Sequence, residues 1–207
     1  MAKKENVSVV TPTGVAIYPH LNRPDVYKDP NTGVEGKPEY KVSLSLTQEE
    51  AAPIIEKIEA VKQQAMALIP AGKKQKEADD PYFNELDDEK QETGRIVIKF
   101  KMKAEYVRDG RTVTMSPKLF DAQGTLMSEC DDIWGGSKIK VSADLIPWYM
   151  AGPGAGVSMR LKAVQIIELK TGGGASASSY GFDSTEGYTA PEETAPVNDF
   201  SNDDEDF

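Results

Sequence analysis

The 207-residue chain has one cysteine and one histidine. Cys130 alone excludes an internal disulfide framework and fits a reducing cytoplasm. Cys130 and His20 together offer no zinc-ligand spacing. The chain contains neither a Gly-x-x-x-x-Gly-Lys phosphate loop nor a Gly-x-Ser-x-Gly nucleophile turn. No stretch approaches the roughly 20 apolar residues of a membrane span. The opening residues, Met1 to Asn6, lack the apolar run of a signal peptide. No internal repeat is present. The most telling absence is positional: no lysine or arginine follows Lys170.

That absence divides the charge. All 24 basic residues lie at or before Lys170, together with 25 of the 34 acidic ones, so the first 170 residues carry a net charge near −1. The nine remaining acidic residues follow, and they account for nearly all of the overall −10. An acidic total would argue against a nucleic-acid partner, but the placement of the lysines is what matters. A body of about 170 residues suits one domain with a sizeable core. Thr171 to Ser179 is a Gly/Ser linker. Five of the last ten residues are acidic, and Phe207 closes the chain. Such a segment buries too little apolar surface to offset its ordering entropy, so disorder is expected. A terminal ring adds nothing to solubility, whereas it can fill a pocket while the carboxylates meet lysines.

Periodicity marks the elements of the body. Val7 to Tyr18 reads as a strand interrupted near Thr11-Pro12-Thr13-Gly14, and Pro19 to Glu39 as a long loop of the kind that is often functional. Tyr40 to Leu46 alternates, with Tyr40, Val42, Leu44 and Leu46 on one face. Thr47-Gln48-Glu49-Glu50 is a capping-box signature that opens a helix over about 48–69, striped by Ile54, Ile55, Ile58, Val61, Ala65 and Leu68. Pro70 and Gly72 stop it. Lys73 to Thr93 reads as an exposed connection. Arg95 to Tyr106 is the clearest strand. Ile96, Ile98, Phe100, Met102, Ala104 and Tyr106 share one face, and Arg95, Lys99, Lys101 and Lys103 the other. Asp109-Gly110 predicts a hairpin turn, with Arg111 to Lys118 pairing back. Lys138 to Leu145 and Val157 to Leu169 are further strands, the latter with Val157, Met159, Leu161 and Ala163 inward, separated by a loop over Ile146 to Gly156. This order predicts a mainly β fold: an OB-fold-like five-stranded Greek-key barrel with one inserted helix and an extra β-hairpin. The formal fourth strand is either the one near Thr112 or the one near Ile139.

Lys99, Lys101 and Lys103 stand about 6.5–7 Å apart on one sheet face, a spacing on the scale of phosphates in an extended single strand. Lysines that neutralise phosphates release counterions. A solvated antiparallel face also carries lysine, so the row alone leaves two readings. Lys28, Arg108, Arg111, Lys118, Lys138, Lys140, Arg160 and Lys162 add basic charge around it, and Glu105, Asp144 and Glu168 are the outward acidic exceptions. Binding a single strand also needs aromatic platforms. Tyr27, Trp148 and Tyr149 fall in the predicted loops that flank the ligand groove of an OB-fold, with Tyr18 and His20 at the first strand's end. The competing reading of Trp148 and Tyr149 is that they close the barrel end, and Trp134 is open in the same way. Asp79-Asp80, Asp87-Asp88-Glu89 and Asp131-Asp132 are what a metal-dependent nuclease would use. They are neighbours within loops, whereas metal carboxylates converge from separate rigid elements, so solvated charge is expected and no cofactor.

The body pattern, the Gly/Ser linker and the ending Asp203-Asp204-Glu205-Asp206-Phe207 together resemble the single-stranded DNA-binding proteins of T-odd tailed bacteriophages. The ending is the part that matches residue by residue, and the body matches by pattern. The resemblance implies a non-enzymatic protein that coats single-stranded DNA during replication and recombination in the cytoplasm of an infected bacterium. It implies that Asp203, Asp204, Glu205, Asp206 and Phe207 dock on the replicative DNA polymerase and helicase-primase and compete with DNA for the basic groove. It also implies a homodimer and no membrane. The domain division it suggests is 1–170 for DNA binding and 171–207 for linker and tail. Tyr180, Phe182, Tyr188 and Phe200 depart from the family's tail. A nuclease, or a virion structural protein with a solubilising tail, are the alternatives.

Overall fold

The computed structural model describes residues 6–171. Ten strands and one helix occur among them: β1 (Val7–Val10), β2 (Gly14–Asp25), β3 (Glu39–Thr47), α1 (Gln48–Met66), β4 (Tyr82–Leu86), β5 (Glu92–Lys103), β6 (Glu105–Arg108), β7 (Arg111–Thr114), β8 (Lys118–Phe120), β9 (Lys138–Met150) and β10 (Gly154–Glu168).

Five strands close on themselves. β2 pairs with β3, β3 with β5, β5 with β10, β10 with β9, and β9 with β2. All these pairings are antiparallel except β5 with β10, which is parallel. This is the five-stranded OB-fold barrel. It identifies β9, near Ile139, as the formal fourth strand. β1 adds to β9, β4 to β5 and β8 to β10, while β6 and β7 form a separate hairpin.

Closing the sheet removes exposed edges and encloses the inward residues of each strand. Val42, Leu44, Leu46, Ile98, Phe100, Ile139, Val141, Leu145, Met159 and Leu161 are all buried there. Full burial of each such side chain contributes about 1.5–3 kcal/mol. The capping box at the helix start is formed: Glu50 N donates to Thr47 Oγ1 (3.3 Å), and Thr47 N donates to Glu50 Oε2 (3.0 Å). Ala51, Ile54, Ile58, Val61 and Ala65 bury α1 against the barrel. Lys62 lies among them because Asp80 (2.8 Å) and Glu77 (2.9 Å) pair with its ammonium.

Several boundaries differ from the sequence expectations. The helix stops at Met66, and Leu68 is exposed rather than part of the buried stripe. Strand β2 runs on through Pro19 to Asp25, so the predicted long loop shrinks to 26–38. A register shift between Ile17 and His20, with Tyr18 at φ 45°, lets the strand pass Pro19. The connection after the helix contains β4. Strand β5 ends at Lys103, and Tyr106 lies in the extra hairpin, which starts at Glu105, with its side chain exposed rather than facing the core with Phe100. The Asp109-Gly110 turn is present, with both residues at positive φ (51° and 73°) as a two-residue hairpin requires. Its return strand stops at Thr114, and Lys118 belongs to β8. The predicted Ile146–Gly156 loop is also a correction. Residues 146–150 continue β9 and 154–156 begin β10, leaving a three-residue turn. In β10 a register shift between Leu161 and Ala163 turns Val164 and Ile166 inward in place of Ala163.

Candidate nucleic-acid interface

Alternation on β5 buries Ile98, Phe100 and Met102 and leaves Lys99, Lys101 and Lys103 exposed on the outer face. Residues paired across strands point to the same face, so the register extends this row sideways. Lys101 lies opposite Lys41 on β3 and opposite Arg160 on β10, Lys41 lies opposite His20 on β2, and Arg160 opposite Asp144 on β9. One rung therefore crosses five strands in the order His20, Lys41, Lys101, Arg160, Asp144. Lys41 alternates with Tyr40 and Val42 and so takes the outward side of β3, but only the register brings it beside Lys101.

The cations on this face differ in their partners. Among the described residues Lys99, Lys101 and Lys103 have no carboxylate within ion-pair distance, and Lys99 Nζ sits over the Phe83 ring, 4.7 Å from its centroid. Lys41 pairs with Asp25 at 2.5 Å. Arg160 (2.9 Å) and Lys162 (3.0 Å) share Asp144, whose side chain is only 10% exposed. The Ser8 hydroxyl donates to the same carboxylate at 2.6 Å. Burial pushes the Asp144 pKa up, but the bonds from Ser8, Arg160 and Lys162 outweigh it and hold it at about 2. Asp144 is therefore ionised at any working pH.

Beside the free lysines a groove of about 870 Å³ opens between the barrel and the extra hairpin. Lys101, Lys103 and Arg160 supply its positive charge, and Glu39, opposite Lys103 on β3, one negative charge; Ile146, Trp148 and Met150 of β9 and Tyr106 and Met115 of the hairpin segment supply apolar and aromatic surface. Trp148 lies opposite Gly156 on β10. A Cβ on Gly156 would come within 2.9 Å of the indole Cζ2, so the missing side chain makes the seat on which this ring rests. The Trp148 Nε1–H is buried without a hydrogen-bond partner among the described residues. Nothing in the sequence pattern marks Met115 and Met150 as groove residues, and the alternation places Tyr106 on the core face, because the break in β5 after Lys103 leaves no mark in it.

The other predicted residues scatter. Tyr149 alternates with Trp148, so it points to the opposite face of β9 and does not line the groove. Both are strand residues, not loop residues. Tyr27 is 65% exposed in the 26–38 loop, and Lys28 bridges Glu35 there. Neither lines the groove. Arg108 and Arg111 pair across the hairpin tip, beyond the groove wall formed by Tyr106. Lys138 is taken up by Glu168 at 2.5 Å. Asp203, Asp204, Glu205, Asp206 and Phe207, and the linker, lie outside the described residues.

The aspartate clusters of the nuclease reading have local duties. Asp80 holds Lys62, Asp87 accepts from the backbone of Glu89 and Gln91 in the turn before β5, and Asp132 lies 3.9 Å from Arg23. Among the described residues no three Asp, Glu, His or Cys side chains converge as a metal would require.

A barrel face with free cations beside an aromatic-floored groove is what an OB-fold offers to a nucleic acid. The family model described as single-stranded DNA-binding protein of bacteriophage T7 matches residues 13–169. The chain belongs to this family. A single-stranded DNA-binding protein of Enterobacteria phage T3 is 31% identical over 201 residues, covering 84% of this chain and 82% of the relative. The crystal structure of gp2.5, a single-stranded DNA-binding protein encoded by bacteriophage T7, superposes with a TM-score of 0.68 at 25% identity, covering 90% of this chain and all of that one. The single-stranded DNA-binding protein of bacteriophage Enc34, solved in complex with single-stranded DNA, shares the fold at TM-score 0.50 and 18% identity, over 80% of this chain and 89% of that one. The family assignment agrees with the resemblance carried by the body pattern and the chain's ending.

Proposed function

We propose that this chain binds and coats single-stranded DNA without sequence preference during phage replication and recombination. Lys99, Lys101 and Lys103 neutralise phosphates, with Arg160 in support, while Trp148 and Tyr106 receive bases in the groove. The observation that carries this reading is the row of three lysines that make no ion pair among the described residues, beside a groove floored by Trp148. Stacking is indifferent to sequence because every base has a face, and it contributes about 1–3 kcal/mol per base. The three lysines alone correspond to a slope of about −2 in log affinity against log salt. The reaction class is binding, with no bond made or broken.

The acidic ending belongs to the same proposal. Asp203, Asp204, Glu205, Asp206 and Phe207 offer a polyanion with a terminal ring, suited to the same cationic groove and to a basic pocket on the replicative DNA polymerase or helicase-primase. The Gly/Ser linker gives it a high effective concentration near its own body. DNA displaces the tail, and the released tail recruits the partner. The test is a mobility shift with single-stranded against duplex DNA, for the full chain and for the chain ended at Thr171. Preference for the single strand, tighter after truncation, is expected. Absence of any shift at a few millimolar salt sinks the reading, and equal or weaker binding after truncation removes the competition step.

A further inference from the structure

The cationic rung does not end at the groove. From Arg160 it passes through Lys101 and Lys41 to His20, and His20 lines a second concavity, of about 640 Å³, on the far side of the barrel face. Two aromatic rings border it. Tyr18 is 81% exposed, and Trp134, in the loop after Cys130, is 54% exposed. Rings of this size normally bury most of their surface. Tyr18 is moreover held at φ 45°, a left-handed conformation that costs a non-glycine residue about 1–3 kcal/mol. The strain comes with the bulge between Ile17 and His20, and the tyrosine stands in solvent there. Neither ring has any role in the core. The one carboxylate at the site, Asp132, faces Arg23 at 3.9 Å, so the anion is partly offset.

We propose that Tyr18 and Trp134 form a second base-stacking subsite, and that one DNA strand runs across the barrel strands from the Trp148 groove to this patch. The proposal rests on the DNA-binding reading above and extends it. Four strand-to-strand steps separate β9, which carries Trp148, from β2, about 19 Å at the usual spacing. Extended DNA crosses that distance in roughly three to four internucleotide spacings, so with a base at each end the footprint is about four to five nucleotides, at the low end for one OB-fold. Lys101 meets the phosphate in between, with Lys41, which Asp25 already holds, beside it. The occupant is a nucleobase because the approach passes Arg160, Lys101 and Lys41, of which Lys101 makes no ion pair among the described residues, and ends in exposed π faces.

The two tryptophans of the chain sit one at each end of this path, which makes the path measurable. In the full chain, Trp134→Phe leaves Trp148 as the only indole reporter, and Trp148→Phe leaves Trp134. Both are titrated at low salt with oligo(dT) from about two to about twelve nucleotides. Trp148 is expected to be quenched by the shorter members, and Trp134 only once the oligonucleotide reaches about four to five. Tyr18→Ala is expected to lower the ratio of long-oligonucleotide to short-oligonucleotide affinity about tenfold, a length-dependent change that general misfolding would not give. Quenching of Trp148 with Trp134 silent at every length overturns the second subsite and leaves the patch to a protein partner. A response of Trp134 at the same short length as Trp148, or without it, overturns the continuous path. Silence of both tryptophans defeats the DNA-binding reading itself, an outcome distinct from the others.

Discussion

The cations of β5 and those of β10 are neighbours on one face, yet they are not equivalent. Lys99, Lys101 and Lys103 make no ion pair among the described residues, although Glu39 stands opposite Lys103, whereas Arg160 and Lys162 converge on the buried Asp144. A formal charge count treats all five alike. A phosphate would not: near β5 it would meet ammonium groups that make no ion pair among the described residues, and near β10 cations that already hold an anion. On the proposed function the first group serves affinity. The second serves position, because Asp144 fixes the guanidinium of Arg160 at the groove wall and Ser8 ties the carboxylate to β1.

The contrast can be broken most directly by charge reversal on the free side. The double substitution K101E/K103E is expected to weaken single-strand binding about a hundredfold or more at low salt and to flatten the salt slope by at least about 1.4, read by fluorescence titration. Removing the stacking floor comes next: Trp148→Ala should cost about 1–3 kcal/mol per bound base with the salt slope preserved, which separates stacking from phosphate neutralisation. Arg160→Gln should cost several-fold less than Lys101→Gln in the same titration. Equal losses would show that Asp144 does not offset its partners. The converse is Asp144→Asn, which removes an anion near the phosphate path. It should tighten DNA binding about fivefold, since the Coulomb energy of charges about 4 Å apart is about 1 kcal/mol even with the full screening of bulk water, and it should steepen the salt slope.

Asp144 also makes a stability prediction with a definite sign. Its folded pKa, about 2, lies below the ordinary aspartate value. The stabilisation is therefore complete above pH 4 or so and is lost as pH falls through about 2, with a size of about 2 kcal/mol. Urea unfolding of the parent and of Asp144→Asn should differ by that amount at neutral pH and converge near pH 2. A difference that persists unchanged at pH 2 would mean that the carboxylate is not held by its ion pairs. Ser8→Ala, which removes one bond and no charge, should cost about 1 kcal/mol and leave the salt slope of DNA binding alone.

Much of the barrel was legible in the chain. The alternation in Tyr40–Leu46, Arg95–Lys103 and Lys138–Leu145 set the buried and exposed faces of three barrel strands, and the Thr47–Glu50 capping box marked where the helix begins. The sequence marks Trp148 as a candidate but places it in a loop, because Pro147 and the run Gly152-Pro153-Gly154 look like breakers. Long-range pairing with β10 carries β9 straight through Pro147 and compresses the turn to three residues. The same override carries β2 past Pro19. Local propensity is a weak prior where a ladder of cross-strand bonds decides.

The sequence by itself determined which residues are charged, which faces are apolar, and that three lysines must stand in a row on one side of β5, since strand alternation is a local geometric rule. Only the tertiary structure decided which of the cations remain free. That depends on Asp144 reaching Arg160 and Lys162 across 16 and 18 residues of chain, and on register that sets His20, Lys41, Lys101 and Arg160 side by side. Pairing between distant segments is set by barrel closure and core packing, which are properties of the whole chain and are written in no local pattern.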